Sequence, residues 1–238
     1  MSRMNLILLF KEDYIHPDRV RLGDRRMTHI KKVHRARPGD LLTVGLVNGK
    51  MGTARVLETA PDYVEMAVRL DKLSPEPLPL TLVLALPRPK MLRRIFQTVA
   101  SLGVKEIYLI NTWRVEKAFW SSALLEPDHI EKELILGLEQ SRDTLMPRVH
   151  VRRLFKPFVT EELPGISRGK IALTAHPGPW DVCPRHISRP CVLTMGPEGG
   201  FIEREVGSLV DIGFKTVNLG DRILRLETAV PYVISRLY

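Results

Sequence analysis

The sequence predicts an α/β protein in two parts, a small N-terminal β-barrel and a larger C-terminal layer of parallel strands covered by helices. Three observations point there. From Thr81 onward, short apolar runs alternate with segments of helical periodicity; before Asp71, strand-like runs dominate; and between them "DKLSPEPLPL" (71–80) carries Pro75, Pro77 and Pro79. Proline fixes its own φ and drives the preceding residue to extended backbone, so this stretch is a stiff linker. The expected organisation is a barrel over residues 1–72, a linker over 73–80 and a second domain over 81–238.

In the first part the strands are "NLILLF" (5–10), "LLTVGLV" (41–47), "GTARVLE" (52–58) and "YVEMAVRL" (63–70), short and rich in branched residues. Asn48-Gly49 marks a hairpin, since both residues tolerate positive φ. One helix is expected over about Arg25–Arg35. In the second part "TLVLAL" (81–86) reads as a buried strand, and Leu92, Ile95, Phe96 and Val99 as the inner face of a helix that Gly103 ends. "EIYLI" (106–110) is a strand, and helical spacing returns at Ile130, Leu134 and Leu138. Strands follow at about 149–155, 170–175 and 190–195, then a helix over 202–212 and a strand over 214–219. A terminal helix is expected from Thr228, which would cap it. Such alternation implies a parallel sheet, whose ligands sit at the carboxyl ends of its strands.

Thirty-six Lys and Arg oppose 27 Asp and Glu, a net charge of +9, which points to a polyanionic partner, nucleic acid above all. The excess is concentrated: His16–Pro38 holds eight Lys and Arg against two acids, and Arg88, Lys90, Arg93 and Arg94 form a second cluster. The apolar run Leu6–Phe10 is far below the roughly 18 residues that cross a bilayer, and no signal-peptide pattern stands there, so a cytoplasmic location is expected. Two cysteines make no disulfide framework. His176, Cys183, His186 and Cys191 have the residue types of a zinc site but lack a close Cys pair, so no metal is expected.

Three strand ends in the last third stand out: "LTAHPG" (173–178), "TMGPEGGFIEREV" (194–206), and "NLGDRILRLETAV" (218–230), which turns at Gly220 and is expected to bury Ile223 and Leu224. The "GPEGG" spacing matches neither phosphate-binding glycine pattern, and a central carboxylate repels phosphate. A ligand with a positive centre, or with donors such as adenine and ribose hydroxyls, suits Glu198 better.

"GPEGGF", followed about twenty residues later by "LGDRILRLETA", resembles the cofactor loops of the SPOUT class of RNA methyltransferases. More narrowly the chain resembles the RsmE family, which methylates N3 of a uridine in small-subunit (16S) ribosomal RNA. "HIKKVHRARPGDLLTV" (29–44) is similar to that family's PUA-like RNA-binding barrel, "ALPRPKMLRRIFQTVASLGV" (85–104) to its first methyltransferase helix and "EQSRDTLMPRV" (139–149) to its central segment. The resemblance implies a SPOUT domain with a deep trefoil knot, S-adenosylmethionine as cofactor, and a homodimer acting on rRNA within an assembled or assembling 30S subunit.

It also implies site residues. The cofactor would contact Leu173, Ala175 and His176; Met195, Gly196, Pro197, Glu198, Gly199 and Gly200; and Leu219, Gly220, Ile223, Leu224, Arg225 and Leu226. Arg225, Glu198 and Glu227 are the catalytic candidates. Arg225 either stabilises charge on the uracil oxygens or pairs with Glu227 to brace the loop. Glu198 either handles the N3 proton or accepts hydrogen bonds from loop amides. RNA phosphates would meet Arg21, Arg25, Arg26, Lys31, Lys32, Arg35 and Arg37, then Arg88, Lys90, Arg93 and Arg94, with Arg222 a further backbone or RNA contact. Leu226, Ser101 and Pro89 depart from the family pattern, where threonine, an acid, and glycine or lysine are usual. They leave open a divergent relative with another target uridine; a ribose 2′-oxygen target and a non-catalytic RNA-binding ribosome factor are the competing readings.

Overall fold

The structure, a computed structural model, describes residues 6–238. Asn5, at the head of the first predicted strand, and residues 1–4 of the expected barrel lie outside the described residues. The chain forms two compact units: residues up to Glu76 together with Ile135–Met146, and Pro77–Leu134 together with Pro147–Tyr238.

The first unit is a six-stranded mixed sheet of β1 (Ile7–Leu9), β2 (Tyr14–His16), β3 (Arg19–Leu22), β4 (Leu41–Leu46), β5 (Met51–Thr59) and β6 (Val64–Lys72). Its order is β1-β4-β5-β6-β3-β2, with β1 and β4 parallel and the other pairs antiparallel. Alternation along β5 turns Ala54 and Val56 toward a core that includes Ile7, Leu9, Val20, Leu22, Val44 and Met66. The β4–β5 turn closes through Leu46 and Lys50, with Asn48 at φ 57°. Residues 135–146 clasp this turn: the Asn48 amide donates to the Thr144 carbonyl (2.8 Å), the Thr144 hydroxyl to the Gly49 carbonyl (2.6 Å), and the Met146 amide to Asn48 Oδ1 (2.9 Å).

The predicted helix at Arg25 is α1 (Arg25–His29), continued by a π-helical turn over Ile30–His34 and ended by Arg35 at φ 51°. Asp24 caps it by accepting the Arg26 amide at 2.8 Å. Arg26, expected among the RNA-facing cations, is buried, with only 5% of its surface exposed. Its guanidinium makes a fork with both Asp13 oxygens (2.6 and 2.7 Å), bonds Asp24 and donates to the Leu8 carbonyl. Basic count alone could not separate this structural cation from its exposed neighbours.

The second unit is a seven-stranded, wholly parallel sheet. Its strands are β7 (Leu80–Ala85), β8 (Glu106–Ile110), β9 (Arg148–Arg152), β10 (Ile171–Ala175), β11 (Asp181–Val182), β12 (Cys191–Met195) and β13 (Lys215–Asn218), in the order β11-β13-β10-β12-β7-β8-β9. Every residue of β7 and β12 is buried, as expected for central strands covered on both faces. α2 (Pro89–Ser101) begins with Pro89 at its first position, where the missing N–H costs nothing, and stops before Gly103 at φ 82°. α3 (Pro127–Ser141) starts in the second unit's share of the chain and ends in the first's.

The strand expected at about 149–155 stops at Arg152. The chain then turns helical as α4 (Phe155–Pro157), a π-helical stretch (Phe158–Glu162) and α5 (Leu163–Ser167). α6 (Glu203–Asp211) and α7 (Leu226–Leu237) complete the unit, and α2 packs against α7. Thr228 does not cap α7: the helix begins two residues earlier with Arg225 as its N-cap, so Thr228 lies within the first turn. Among the described residues no helix is long and apolar enough to cross a membrane.

Removing one partner of a buried ion pair strands the other charge. Arg26→Ala is therefore expected to lower the unfolding free energy by about 3–5 kcal/mol in urea titrations, while exposed Arg37→Ala stays within about 0.5 kcal/mol. Burial alone would raise the Asp24 carboxyl, but its hydrogen bonds from Arg26 outweigh that and hold it below 3.8. Its contribution is complete above that value and is lost as pH falls through the lower folded one, so the acid-side decline should be shallower in Arg26→Ala.

Candidate active site

The three unusual loops leave the carboxyl ends of three neighbouring strands, β13, β10 and β12. Ala175 at the end of β10 is in register with Met195 at the end of β12 and with Val217 of β13, so the three strands finish level. Inside the sheet the Thr194 hydroxyl donates to Thr174 Oγ1 at 2.8 Å, and both residues are fully buried. A polar bond there fixes the register of β10 against β12 and thereby the spacing of their loops.

Beyond these ends lies a cavity of about 360 Å³. Ala175, His176 and Pro177 line it from the first loop, Met195 to Gly200 from the second, and Leu219, Gly220, Arg222, Ile223 and Leu224 from the third, with Leu226 and Ala229 of α7 behind. Met195, Leu226 and Ala229 are buried and apolar, whereas the loops bring backbone amides and carbonyls. This division suits a ligand with one apolar and one polar face.

The glycines of the second loop have different reasons. A Cβ on Gly196 would stand 2.8 Å from the Phe201 amide nitrogen and 3.0 Å from the Gly200 carbonyl carbon, so the loop's own backbone forbids it. Gly200 adopts φ 73°, and its amide closes the turn onto the Pro197 carbonyl at 2.7 Å. Glu198 Oε1 accepts the amide of Arg88, the N-cap of α2, at 3.1 Å. Its carboxylate thus ties the loop to the positive end of that helix.

Arg114 also lines the cavity and did not emerge from the sequence. It sits in the loop after β8, and its guanidinium donates to the Gly199 carbonyl. The available signal was a lone arginine just past the carboxyl end of a parallel strand, where site residues gather. Burial, and after it the Arg114 charge, push the His176 imidazole below its ordinary value, which favours the neutral ring at pH 7.

Thirteen of the fifteen expected cofactor positions line this cavity; Leu173 and Arg225 do not. Leu173 is buried within β10, below the strand end that faces the cavity. Arg225 is exposed at the head of α7 and forms no ion pair with Glu227. Ile223, expected to be buried, is 79% exposed on the rim of the cavity.

The remaining expected RNA contacts divide by partner. Arg21 bonds Glu65 (3.1 Å), Arg25 bonds Glu139 (2.9 Å), Arg93 bonds Glu133 (3.2 Å), and Lys31 donates to the Ala60 and Pro61 carbonyls. Lys32, Arg35, Arg37, Arg88, Lys90, Arg94 and Arg222 are exposed, without an ion-pair partner among the described residues. Cys183 and Cys191 are buried free thiols, and burial pushes Cys191 up to about 12. Among the described residues no three His, Cys, Asp or Glu side chains form a metal-holding group.

Residues 74–238 match the family model described as an RNA methyltransferase domain. The chain is similar to the ribosomal RNA small subunit methyltransferase E of Treponema pallidum, with 32% identity over 95% of this chain and 87% of that relative. It is also similar to the ribosomal RNA small subunit methyltransferase E 1 of Borreliella burgdorferi, with 25% identity over 95% and 94%. A crystal structure of a ribosomal RNA small subunit methyltransferase E from Neisseria gonorrhoeae, bound to S-adenosyl methionine, aligns with a TM-score of 0.77 and 25% identity, covering 96% of this chain and 94% of that one.

The backbone contacts around Gly196 predict the outcome of filling that space. Gly196→Ala is expected to destabilise the protein by about 1–3 kcal/mol, read as a lower Tm. An unchanged Tm would mean that the loop has room the geometry denies.

Proposed function

The chain belongs to the RsmE family of RNA methyltransferases, and on that premise we propose that it transfers the methyl group of S-adenosylmethionine to N3 of a uridine in 16S ribosomal RNA. The observation that carries the proposal is the convergence of three loops, from β10, β12 and β13, on one cavity of about 360 Å³. The residues fit the cofactor. Ala175, Met195, Leu224 and Leu226 would hold its apolar surfaces, and the backbone of residues 196–200 and 219–224 its polar edges. The absence of a phosphate-binding glycine pattern agrees with a ligand that has no phosphate.

S-adenosylmethionine, when bound, supplies an electrophilic methyl group. The chain's own task is to present N3, take its proton and stabilise the charge that spreads to the flanking carbonyl oxygens. N3 is occupied in a base pair, so the target uridine is unpaired or flipped out. We assign charge stabilisation to Arg225; its exposed guanidinium, without an ion-pair partner, supports this. We assign Glu198 a bracing role, supported by its bond to the Arg88 amide, and leave the N3 proton to Glu227 in the first turn of α7.

We read the second unit as the knotted SPOUT domain. Three bonds between residues 183–187 and the end of the fold support a threaded α7: the Cys183 amide to the Asn218 carbonyl (2.9 Å), Arg236 Nε to the Cys183 carbonyl (2.7 Å), and the Ile187 amide to the Leu237 carbonyl (2.7 Å). The six-stranded sheet is read as the PUA-like RNA grip, with Lys32, Arg35 and Arg37 as its free cations. A homodimer working on rRNA in the 30S subunit completes the reading, with residues 1–72 as the barrel, 73–80 as the linker and 81–238 as the catalytic domain apart from 135–146, which belong to the first unit.

In a strain that lacks the gene, nucleoside mass spectrometry of 16S rRNA is expected to show loss of 3-methyluridine. An unchanged level, or loss of a 2′-O-methyl nucleoside instead, removes the N3 assignment. In Gly199→Val a Cβ meets Arg114 Cδ at 3.1 Å, and the added branches push that side chain aside. Calorimetry should then show no S-adenosylmethionine binding, with RNA affinity retained. Arg225→Ala is expected to lower kcat by about 10²–10³-fold, as for loss of one donor to a developing oxyanion, with cofactor affinity nearly unchanged.

A further inference from the structure

The second unit holds another cavity, a cleft of about 840 Å³, which no part of the methyl-transfer reading uses. Three aromatic side chains line it, Trp113, Trp120 and Phe155, and three cations, Lys117, Lys156 and Arg204. Trp113 is 80% exposed, an unusual position for the largest apolar side chain unless a ligand covers it. Trp120 is held in place: its indole N–H donates to Asn111 Oδ1 at 2.9 Å, and the Arg153 guanidinium lies 5.5 Å from its ring centre. None of Lys117, Lys156 and Arg204 has an ion-pair partner among the described residues.

The lining contains one acid, Glu205, and both of its oxygens are engaged by backbone: Oε1 accepts the Trp113 amide (2.7 Å) and Oε2 the Ile202 amide (3.0 Å). The charge available to a ligand is therefore positive. Thr112 also lines the cleft, and its hydroxyl is buried without a hydrogen-bond partner. A buried hydroxyl in that state is a vacant donor and acceptor, which a base edge or a ribose hydroxyl would complete.

From these observations we infer that the cleft receives an unpaired stretch of the RNA substrate, stacking bases on Trp113 and its aromatic neighbours while the three cations meet phosphates. Flat aromatic faces bind any base, and free cations track a backbone, so the pairing of the two is the signature of single-stranded nucleic acid. A second copy of the chain is a poorer match, since its own net charge is +9. The inference rests on the methyltransferase reading, and the geometry connects the two. Arg114 lines the cofactor cavity while Trp113 and Val115, on either side of it, line the cleft; Gly200 and Ile202 divide in the same way. A strand seated in the cleft thus runs up to the methyl-transfer cavity, and the cleft would hold the nucleotides that flank the target.

The test uses the full chain and a labelled single-stranded oligouridylate of about ten nucleotides, within the usual site sizes of such grooves, with affinity read by fluorescence anisotropy at fixed salt. Trp113→Ala is expected to weaken binding about tenfold, and Trp113→Phe to restore most of it. In Lys117→Ala/Lys156→Ala the slope of log affinity against log salt should fall by about 1.4, or roughly 0.7 for each single-strand phosphate contact. Calorimetry with S-adenosylmethionine on the same variants should be unchanged, which shows that they are folded. Unaltered RNA affinity in Trp113→Ala, with cofactor binding intact, overturns the inference. So does conversion of a dimer to a monomer by that substitution in sedimentation, which would make the cleft a seam between protomers. Failure of the unsubstituted chain to bind S-adenosylmethionine would instead remove the methyltransferase reading, and the anisotropy result would still decide the cleft.

Discussion

Both cavities depend on one buried carboxylate. Glu205 lies in the first turn of α6, only 6% exposed, and accepts two backbone amides, one from its own helix start at Ile202 and one from Trp113 across the sheet edge. A negative charge in the first turn of a helix is favoured by the dipole there, and the reciprocal bond to Ile202 sets the angle at which the chain leaves the "GPEGG" turn. The bond to Trp113 anchors the loop after β8, which carries Arg114 toward one cavity and Trp113 toward the other. Hydrogen bonds to a charged group contribute about 1.5–3 kcal/mol each. Without this carboxylate, two walls would lose their common attachment while the sheet beneath them stayed intact.

The distribution of positive charge shows why a count of basic residues is an incomplete guide to nucleic-acid contact. Arg26 belongs to the most basic stretch of the chain, yet it is the internal cation of a cluster with Asp13 and Asp24. Arg21, Arg25 and Arg93 have carboxylate partners. Lys117, Lys156 and Arg204 are scattered in sequence and formed no cluster there, but the fold gathers them around three aromatic rings. Sequence proximity measures charge per residue, whereas a polyanion meets charge per area of surface after internal pairs have cancelled.

Much of the second unit was legible because a fully buried parallel strand reads as a continuous apolar run, as β7 does, and because β8, β10 and β12 alternate with segments of helical spacing. The three loops stood out as abrupt strand ends, at His176-Pro177, at the glycines around Pro197-Glu198 and at Gly220, and the family resemblance tied the last two together. What escaped depends on tertiary context. β2 and β3 are three- and four-residue strands with alternating or exposed patterns, too short for periodicity to register. The helical segment from Phe155 to Ser167 contains Pro157 and Pro164, which mask its periodicity. Ile223 and Leu224 read as core because they are apolar, yet Ile223 is largely exposed and Leu224 only half-buried. Arg114 has only its place just past a strand end to mark it, and Glu205 has no local signal; their importance lies in the Gly199 carbonyl and the Trp113 amide, 85 and 92 residues away.

The clasp of residues 135–146 on the Asn48-Gly49 turn bears on the order in which the chain acquires structure during synthesis. The first unit is discontinuous in sequence, so its last hydrogen bonds, from Thr144 and Met146, become available only after β7, α2 and β8 have left the ribosome. The N-terminal sheet must wait, incompletely satisfied at that turn, while the opening strands of the parallel sheet are already emerging. A gene truncated after Glu76 would therefore encode a sheet that lacks its own fastening. Any recombination that exchanges this sheet between relatives must carry a dozen residues from the middle of the chain with it.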